Sequence, residues 1–320
     1  MQKKRIISFL PSATELIYEL GAQEKLFGVT HECNYPSDAT NKPKVIESVF
    51  EPENMSSLEI DKKICDLSEK GEDIYKLVTQ NVSNAKPDLI ISQEICEVCS
   101  AYTNQVKNAI EILDEKPEIY SMSPHDIQGI LKCVDDIAEK IDEVKRGNEI
   151  VNSLNSRIEE IKNIKISSRP KVLGIEWLNP FFTSGHWVPE MIEISGGVNM
   201  ITKTGEHSRK MEIEEIEKED PDVLILMPCG FDVQRTVSEY EKNLKNDPRW
   251  NQLKAVRERK VFAVDANSFF SKPSIRVITG IEILAKILHP EMFEELELSL
   301  IHISEPTRLR RISYAVFCLK

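Results

Sequence analysis

Short apolar runs alternate along this chain with stretches whose apolar positions recur at helical spacing. In the first half, RIISF (5–9), LFGVT (26–30), KVIES (44–48), PDLIIS (87–92) and PEIYSM (117–122) read as strands. Ser12-Ala13-Thr14-Glu15 reads as a capping box opening a helix to Leu20, with Gly21 as its stop. Further helices are predicted near 57–67, 73–84 and 102–113. A helical tract then starts at Ser123-Pro124-His125-Asp126 and carries Ile127, Ile130, Leu131, Val134, Ile137 and Ile141 on one stripe. A second run follows through Val144, Ile150, Val151, Leu154, Ile158 and Ile161, with Gly147 lying within it. The second half repeats the alternation. Strands are predicted at KVLGIEW (171–177), PDVLILMP (221–228) and KVFAVD (260–265), and helices at 188–196, 232–245 and 274–288.

Strands separated by helices imply mostly parallel sheets covered on both faces. The halves echo each other: KPDLIIS (86–92) and DPDVLILM (220–227) are both Pro-Asp-hydrophobic strands, each preceded by a helix. The expected fold is therefore α/β, with two lobes joined by a helical backbone. The expected division is an N-terminal lobe at 1–122, a helical linker at 123–168 and a C-terminal lobe at 169–297. Residues 298–320, LSLIHISEPTRLRRISYAVFCLK, turn basic and lose any period. They resemble the conceptual translation of a sequencing adapter and are set aside as an artefactual tail. Ligand is expected at the carboxyl ends of strands, in a cleft between the lobes.

The composition agrees with a globular protein: 41% of residues are hydrophobic and 29% charged, without a low-complexity tract. A net charge of −12 argues against an unspecific grip on nucleic acid or anionic lipid. The longest apolar runs are strand-sized, so membrane insertion is not expected. MQKKRIISFLPSATE has a basic start, but Pro11 interrupts it before the roughly 7–15 apolar residues of a secretory signal are reached. This predicts a cytoplasmic protein with reduced cysteines, or a periplasmic or otherwise extracytoplasmic one if the true start lies upstream. A monomer is expected.

Five segments carry a family resemblance: RIISFLPSATELIYELGAQEKLFGVTHECNYP (5–36), SQEICEVCSAY (92–102), GIEWLNPFFTSGHWVPEM (174–191), MPCGFDVQRT (227–236) and FFSKPSIR (269–276). Together they resemble the vitamin B12-binding proteins of ABC importers, of the helical-backbone periplasmic-binding class, and in particular a signal-less branch. The resemblance implies a substrate-binding protein for cobalamin or a related corrinoid, with an ABC permease as partner, and a binding protein rather than an enzyme. The same fold carries siderophores and haem, which stand as alternative ligands. The resemblance also implies one glutamate per lobe that docks on the permease. Glu214, seven residues before Pro221, matches that pattern, whereas Gln80, seven before Pro87, does not.

A broad, largely apolar corrin ring needs aromatic faces and a few polar contacts. The candidates for this role are Tyr35, Tyr102, Trp177, Phe182, Trp187, Phe231 and Phe270, most of them just after predicted strands; the alternative for each is a place in a lobe core. Phe181 and Phe269 belong to the same aromatic set. His186, in Ser184-Gly185-His186-Trp187, is a candidate cobalt ligand or a loop histidine in a structural hydrogen bond. Glu32, Glu94 and Glu176 stand at strand ends, where they could bond corrin amides or form an acid/base pair. Cys33, Cys96, Cys99 and Cys229 fall in post-strand loops. With His31 or His186 they could build a metal or iron–sulfur site, which defines the rival reading of a metal- or cluster-dependent enzyme. Cys65 and Cys133 lie in helices and read as small buried hydrophobes.

Overall fold

A computed structural model describes residues 4–93, 101–293 and 316–318, with 101–103 and 316–318 described by their backbone alone. It comprises two compact units. Unit 1 is Met1–Pro124 with Gln128–Asn152, and unit 2 is His125–Ile127 with Ser153–Lys320.

The strands of unit 1 are β1 (Ile6–Ser8), β2 (Leu26–Thr30), β3 (Lys44–Ser48), β4 (Tyr75–Leu77), β5 (Leu89–Gln93) and β6 (Glu118–Met122). Between them lie α1 (Pro11–Glu19), α2 (Ser57–Glu69), α3 (Thr79–Ala85) and α4 (Ala101–Ile112). Then follow α5 (Ile127–Lys140) and α6 (Val144–Lys162), each of which crosses a boundary between the units. The sheet order is β4-β3-β2-β1-β5-β6, parallel except for the antiparallel β3–β4 pair. Ile7, Phe9, Val45, Ile46 and Ile90 share a core cluster with Val82 of α3 and Ala109 of α4.

Unit 2 contains β7 (Lys171–Leu178), β8 (Phe181–Thr183), α7 (Val188–Ile194), β9 (Val198–Asn199), α8 (Ile213–Glu219), β10 (Val223–Leu226) and α9 (Val233–Asn243). It continues with α10 (Lys254–Arg257), β11 (Val261–Val264), α11 (Ala266–Phe269), α12 (Val277–Leu288) and β12 (Val316–Cys318). β7, β10 and β11 are parallel neighbours. β8 and β9 share the other edge of β7, antiparallel and parallel respectively. Residues 316–318, inside the segment set aside above, pair antiparallel with β11 as β12. Trp250 anchors the core, fully buried, with Phe181 stacked on it at 5.8 Å and Tyr240 edge-on at 6.4 Å.

Several expectations are corrected. Ser12 does not cap α1: that helix already begins at Pro11, with Leu10 as its N-cap and no capping side chain. The capping box stands at α2, where Ser56 Oγ accepts from the Glu59 amide and Glu59 Oε2 accepts from the Ser56 amide. The predicted helix at 73–84 is a strand followed by a short helix, because β4 adds antiparallel to the free edge of β3. The break between α5 and α6 falls at Asp142, at φ +61°. Gly147 lies inside α6, where a Cβ would meet the Ala138 Cβ at 2.5 Å; its role is close helix packing.

The echo between the halves has a physical basis. In unit 1, Asp88 Oδ2 accepts from the Arg5 amide at 2.8 Å, and the Asp88 amide donates back to the Arg5 carbonyl at 2.8 Å. In unit 2, Asp222 and Lys171 repeat the pair, at 2.8 and 2.9 Å. The preceding helices, α3 and α8, both end on a left-handed residue, Lys86 at φ +43° and Asp220 at φ +46°. Each is followed by a buried proline. The basic side chain of each clamp then reaches back to the last carbonyl of that helix: Arg5 Nε to Ala85 O at 2.6 Å, and Lys171 Nζ to Glu219 O at 3.3 Å. A cation at that place also suits the helix dipole. The clamp thus fixes the starting register of β1 against β5 and of β7 against β10.

Asp222 also accepts from Lys254 Nζ at 2.6 Å, and this ammonium, with the Lys171 amide, holds its carboxyl below the ordinary 3.8. Its contribution is therefore present above pH 3.8 and is lost as pH falls through the depressed folded-state value. Asp222→Ala should cost about 1–2 kcal/mol in urea denaturation at pH 7, and Asp222→Asn less, because an acceptor remains. The difference between wild type and Asp222→Ala should shrink once the carboxyl is protonated.

Candidate functional site in unit 2

The carboxyl ends of β7, β10 and β11 carry the densest set of predicted residues. β7 pairs through Ile175↔Thr183 and Trp177↔Phe182, so Glu176 is the extra residue of a bulge. That bulge is held from two directions. Glu176 Oε1 accepts from the Gly185 amide at 3.1 Å, and the Glu176 carbonyl accepts from the Cys229 amide at 3.0 Å. Gly185 is required here, since a Cβ would meet the Ser208 backbone nitrogen at 2.4 Å. Beyond the bulge Trp177 is half-buried, edge-on to the Phe231 ring at 5.4 Å and 62°.

Phe231 is buried and follows β10 through a turn in which its amide donates to Pro228 O and its carbonyl accepts from the Asn267 amide. The Arg235 guanidinium lies 3.8 Å over the Phe231 ring, placed by α9, whose N-cap Asp232 accepts from the Arg235 amide. A tryptophan edge, an aromatic core and a guanidinium therefore form one platform of apolar area with a cationic margin. Asp265, at the end of β11, caps α11 by accepting from the Ser268 amide at 2.9 Å, and burial raises its pKa.

The other predicted aromatics of unit 2 divide by burial. Phe182 is half-buried, with Lys210 Nζ 5.7 Å above its ring. Trp187 and Phe270 are buried and joined, Trp187 Nε1 donating to Phe270 O at 3.0 Å, and Phe269 is buried under Arg276. Phe181 belongs to the Trp250 core. Trp187, Phe270 and Phe269 are thus interior to unit 2, and Phe181 packs half-buried against the Trp250 core.

His186 is half-buried in a left-handed conformation, φ +54°. A backbone pair fixes it: its amide donates to Glu206 O at 2.7 Å and its carbonyl accepts from the Gly205 amide at 2.8 Å. Its Nδ1 is buried without a hydrogen-bond partner. Burial first, then the neighbouring His207 and His125, lowers its pKa from 6.5 to about 4. The histidine group was not among the predicted sites, because His125, His186 and His207 are far apart in the chain, and Arg235, four residues after Phe231, was not singled out either.

In unit 1, Tyr35 follows β2 and is 47% exposed. Tyr102 lies in α4. His31 places Nδ1 3.3 Å from Ile46 O, and Glu32 donates its amide to Thr30 Oγ1. Cys33 is fully buried, its sulfur 3.2 Å from Thr14 Oγ1 and 3.4 Å from Thr30 Oγ1, and burial pushes the thiol pKa up. A thiol held in this way is a poor thiolate ligand. Cys229 is exposed in unit 2, while Glu94, Cys96 and Cys99 lie outside the described residues. Cys65 is exposed, against expectation, and Cys133 is buried. Among the described residues no three His, Cys, Asp or Glu side chains gather their donor atoms as a metal site does. Glu214 is exposed on α8 and paired with Arg249, which also forks onto Glu217 at 2.6 and 3.0 Å; Arg249 holds the Glu214 carboxyl below its ordinary range. Gln80 lies on α3 and donates to Asn84 Oδ1.

Comparison with known proteins adds four findings. A family profile described as periplasmic binding protein matches residues 6–268. An uncharacterized ABC transporter substrate-binding lipoprotein of Bacillus subtilis is 25% identical, over 92% of this chain and 82% of its own length. The vitamin B12-binding protein of Vibrio cholerae is 23% identical over 87% of each chain, and its crystal structure superposes with a TM-score of 0.63 over 90% of this chain and 97% of that one. The Staphylococcus aureus protein IsdE complexed with heme superposes with a TM-score of 0.66 at 16% identity, over 90% of this chain and 99% of that one. The fold is thus that of the helical-backbone periplasmic binding proteins.

The depressed pKa of His186 has a consequence for stability. The unfolded chain takes up a proton near pH 6.5, the folded one only near 4, so stability is full above 6.5 and falls as pH drops through that window. His186→Asn, which tolerates the left-handed backbone, should lose less stability between pH 7 and pH 5 than wild type in paired denaturation curves.

Proposed function

Since this chain belongs to the periplasmic binding protein family, we propose that it is the substrate-binding protein of an ABC transporter and that its ligand is a corrinoid of the cobalamin type. The observation that carries the reading is the Trp177–Phe231–Arg235 platform at the carboxyl ends of β7 and β10. A flat, largely apolar macrocycle with polar side arms needs an aromatic face bordered by hydrogen-bond donors; half-buried Trp177 and Arg235 supply these, and the buried Phe231 ring supports both from within. Phe182, with Lys210 above it, would extend that surface. Haem is the second reading: the Staphylococcus aureus relative of the same fold is complexed with heme, and the same platform suits its ring.

A permease partner follows from the relatives' description as substrate-binding proteins of ABC transporters, with exposed Glu214 as the docking carboxylate. The cytoplasmic expectation gives way to its extracytoplasmic alternative, because the Bacillus subtilis relative is a lipoprotein and the family is periplasmic. No helix among the described residues is long and apolar enough to cross a membrane.

The test is calorimetric titration of the full chain with cyanocobalamin, cobinamide and hemin. One of the corrinoids should bind saturably at a single site, and Trp177→Ala should weaken it by about tenfold or more. Tight hemin binding with no corrinoid binding moves the assignment to the second reading. Binding of neither, or binding indifferent to Trp177→Ala, overturns the platform as the site.

A further inference from the structure

Three of the chain's six histidines meet in unit 2, although they lie far apart in sequence. The ring centroid of His186 is 5.1 Å from that of His207 and 6.3 Å from that of His125, and the His125–His207 separation is 6.1 Å. Three imidazoles sharing one tetrahedral metal, at a metal–nitrogen distance of about 2.0–2.1 Å, have centroids roughly 5 Å apart. The observed triangle is within about 1 Å of that spacing on every side.

The backbone under the triangle is pinned at each corner. His186 and the 205–206 segment exchange two hydrogen bonds, which seats His207 beside it. His125 is held by the next turn, where the Ile127 amide donates to Glu190 Oε2 at 2.7 Å. The nearby carboxylates are committed to backbone: Glu190 to Ile127, and Glu206 Oε2 to the Lys203 amide at 2.9 Å. What the group offers a ligand is therefore imidazole nitrogen. His125 and His207 are exposed, so their rings can turn about the Cβ–Cγ bond without disturbing packing; as placed, the nitrogens do not yet converge. His186 is the fixed corner, half-buried, with an Nδ1 that has no hydrogen-bond partner.

We propose that His125, His186 and His207 form a binding site for one divalent transition-metal ion of the zinc, nickel or cobalt class, distinct from the Trp177–Phe231 platform. Imidazole sets select these borderline cations over calcium or magnesium, which require oxygen ligands.

Zinc(II) and nickel(II), each alone, are titrated into the full chain at pH 7.5 by calorimetry with a thiol-blocked sample in parallel, and magnesium serves as a control. One equivalent of zinc should bind, magnesium should not, and thiol blocking should change nothing. His125→Ala and His207→Ala should each weaken zinc by at least about tenfold. His186→Asn should abolish saturable binding while its circular dichroism and melting cooperativity stay those of a folded chain. Nickel should quench tryptophan emission, because the Trp187 ring lies 5.6 Å from His186, and that quenching should vanish in His186→Asn. Absence of saturable zinc binding in the wild type overturns the proposal. So does zinc binding that survives His125→Ala and His207→Ala unchanged, or that disappears on thiol blocking. Corrinoid or hemin titration of the two alanine variants separates this inference from the ligand assignment, because the platform should keep its affinity in both.

Discussion

The aspartate that follows a buried proline, Asp88 in one unit and Asp222 in the other, sets the register from which each sheet grows. Each closes a two-bond ring with the residue that opens the neighbouring strand, Arg5 or Lys171. In a parallel sheet no hairpin turn fixes the offset between adjacent strands, so the offset has to be set by something else. Here it is set at the amino ends. The left-handed last residue of α3 or α8, the proline and the aspartate act as one corner, and the same corner occurs twice.

That constraint reaches the functional end of unit 2 through β7. From Lys171 the strand runs four buried positions, Val172 to Ile175, in register with β10. It then meets β8 on its other edge, and the bulge at Glu176 accommodates the two neighbours. The carboxylate of Glu176 is used on Gly185 and its carbonyl on Cys229, so one residue ties the 185–187 turn and the loop after β10 to the strand. Trp177 and Phe231 are brought edge to face by these backbone bonds, and the platform owes its rigidity to strand ends rather than to loop packing.

Much of this was legible in the sequence. LFGVT and KVIES coincide with β2 and β3, and the Pro-Asp strands gave β5 and β10, because buried parallel strands are short, apolar and β-branched. β4, β8 and β9 were not legible: Tyr75–Leu77, Phe181–Thr183 and Val198–Asn199 are edge pieces of two or three residues, defined by a neighbour and not by their own pattern. The capping signature at Ser12-Glu15 was overridden by Pro11, which starts the helix two positions earlier, with Leu10 in the N-cap place. The site candidates were chosen for lying at or just after strand ends, and Trp177 is half-buried near the carboxyl end of β7. The same rule selected Trp187 and Phe270, which tertiary packing covers. Cys33 is in a post-strand loop as expected, yet loops can fold inward when their polar atoms find partners, here Thr14 and Thr30. His125 and His207 could be found only from the fold, since no spacing in the chain links them to His186, whereas Arg235 stands four residues after Phe231, the ring it covers.

The central claim is that ligand is held at the carboxyl ends of β7 and β10. Amide hydrogen exchange of the full chain, with and without a saturating macrocycle, tests it most directly. The account predicts added protection at Glu176–Leu178 and Cys229–Phe231, with the amino-end clamps at Asp88 and Asp222 unchanged. Protection that spares both of those segments while a macrocycle is demonstrably bound would contradict it.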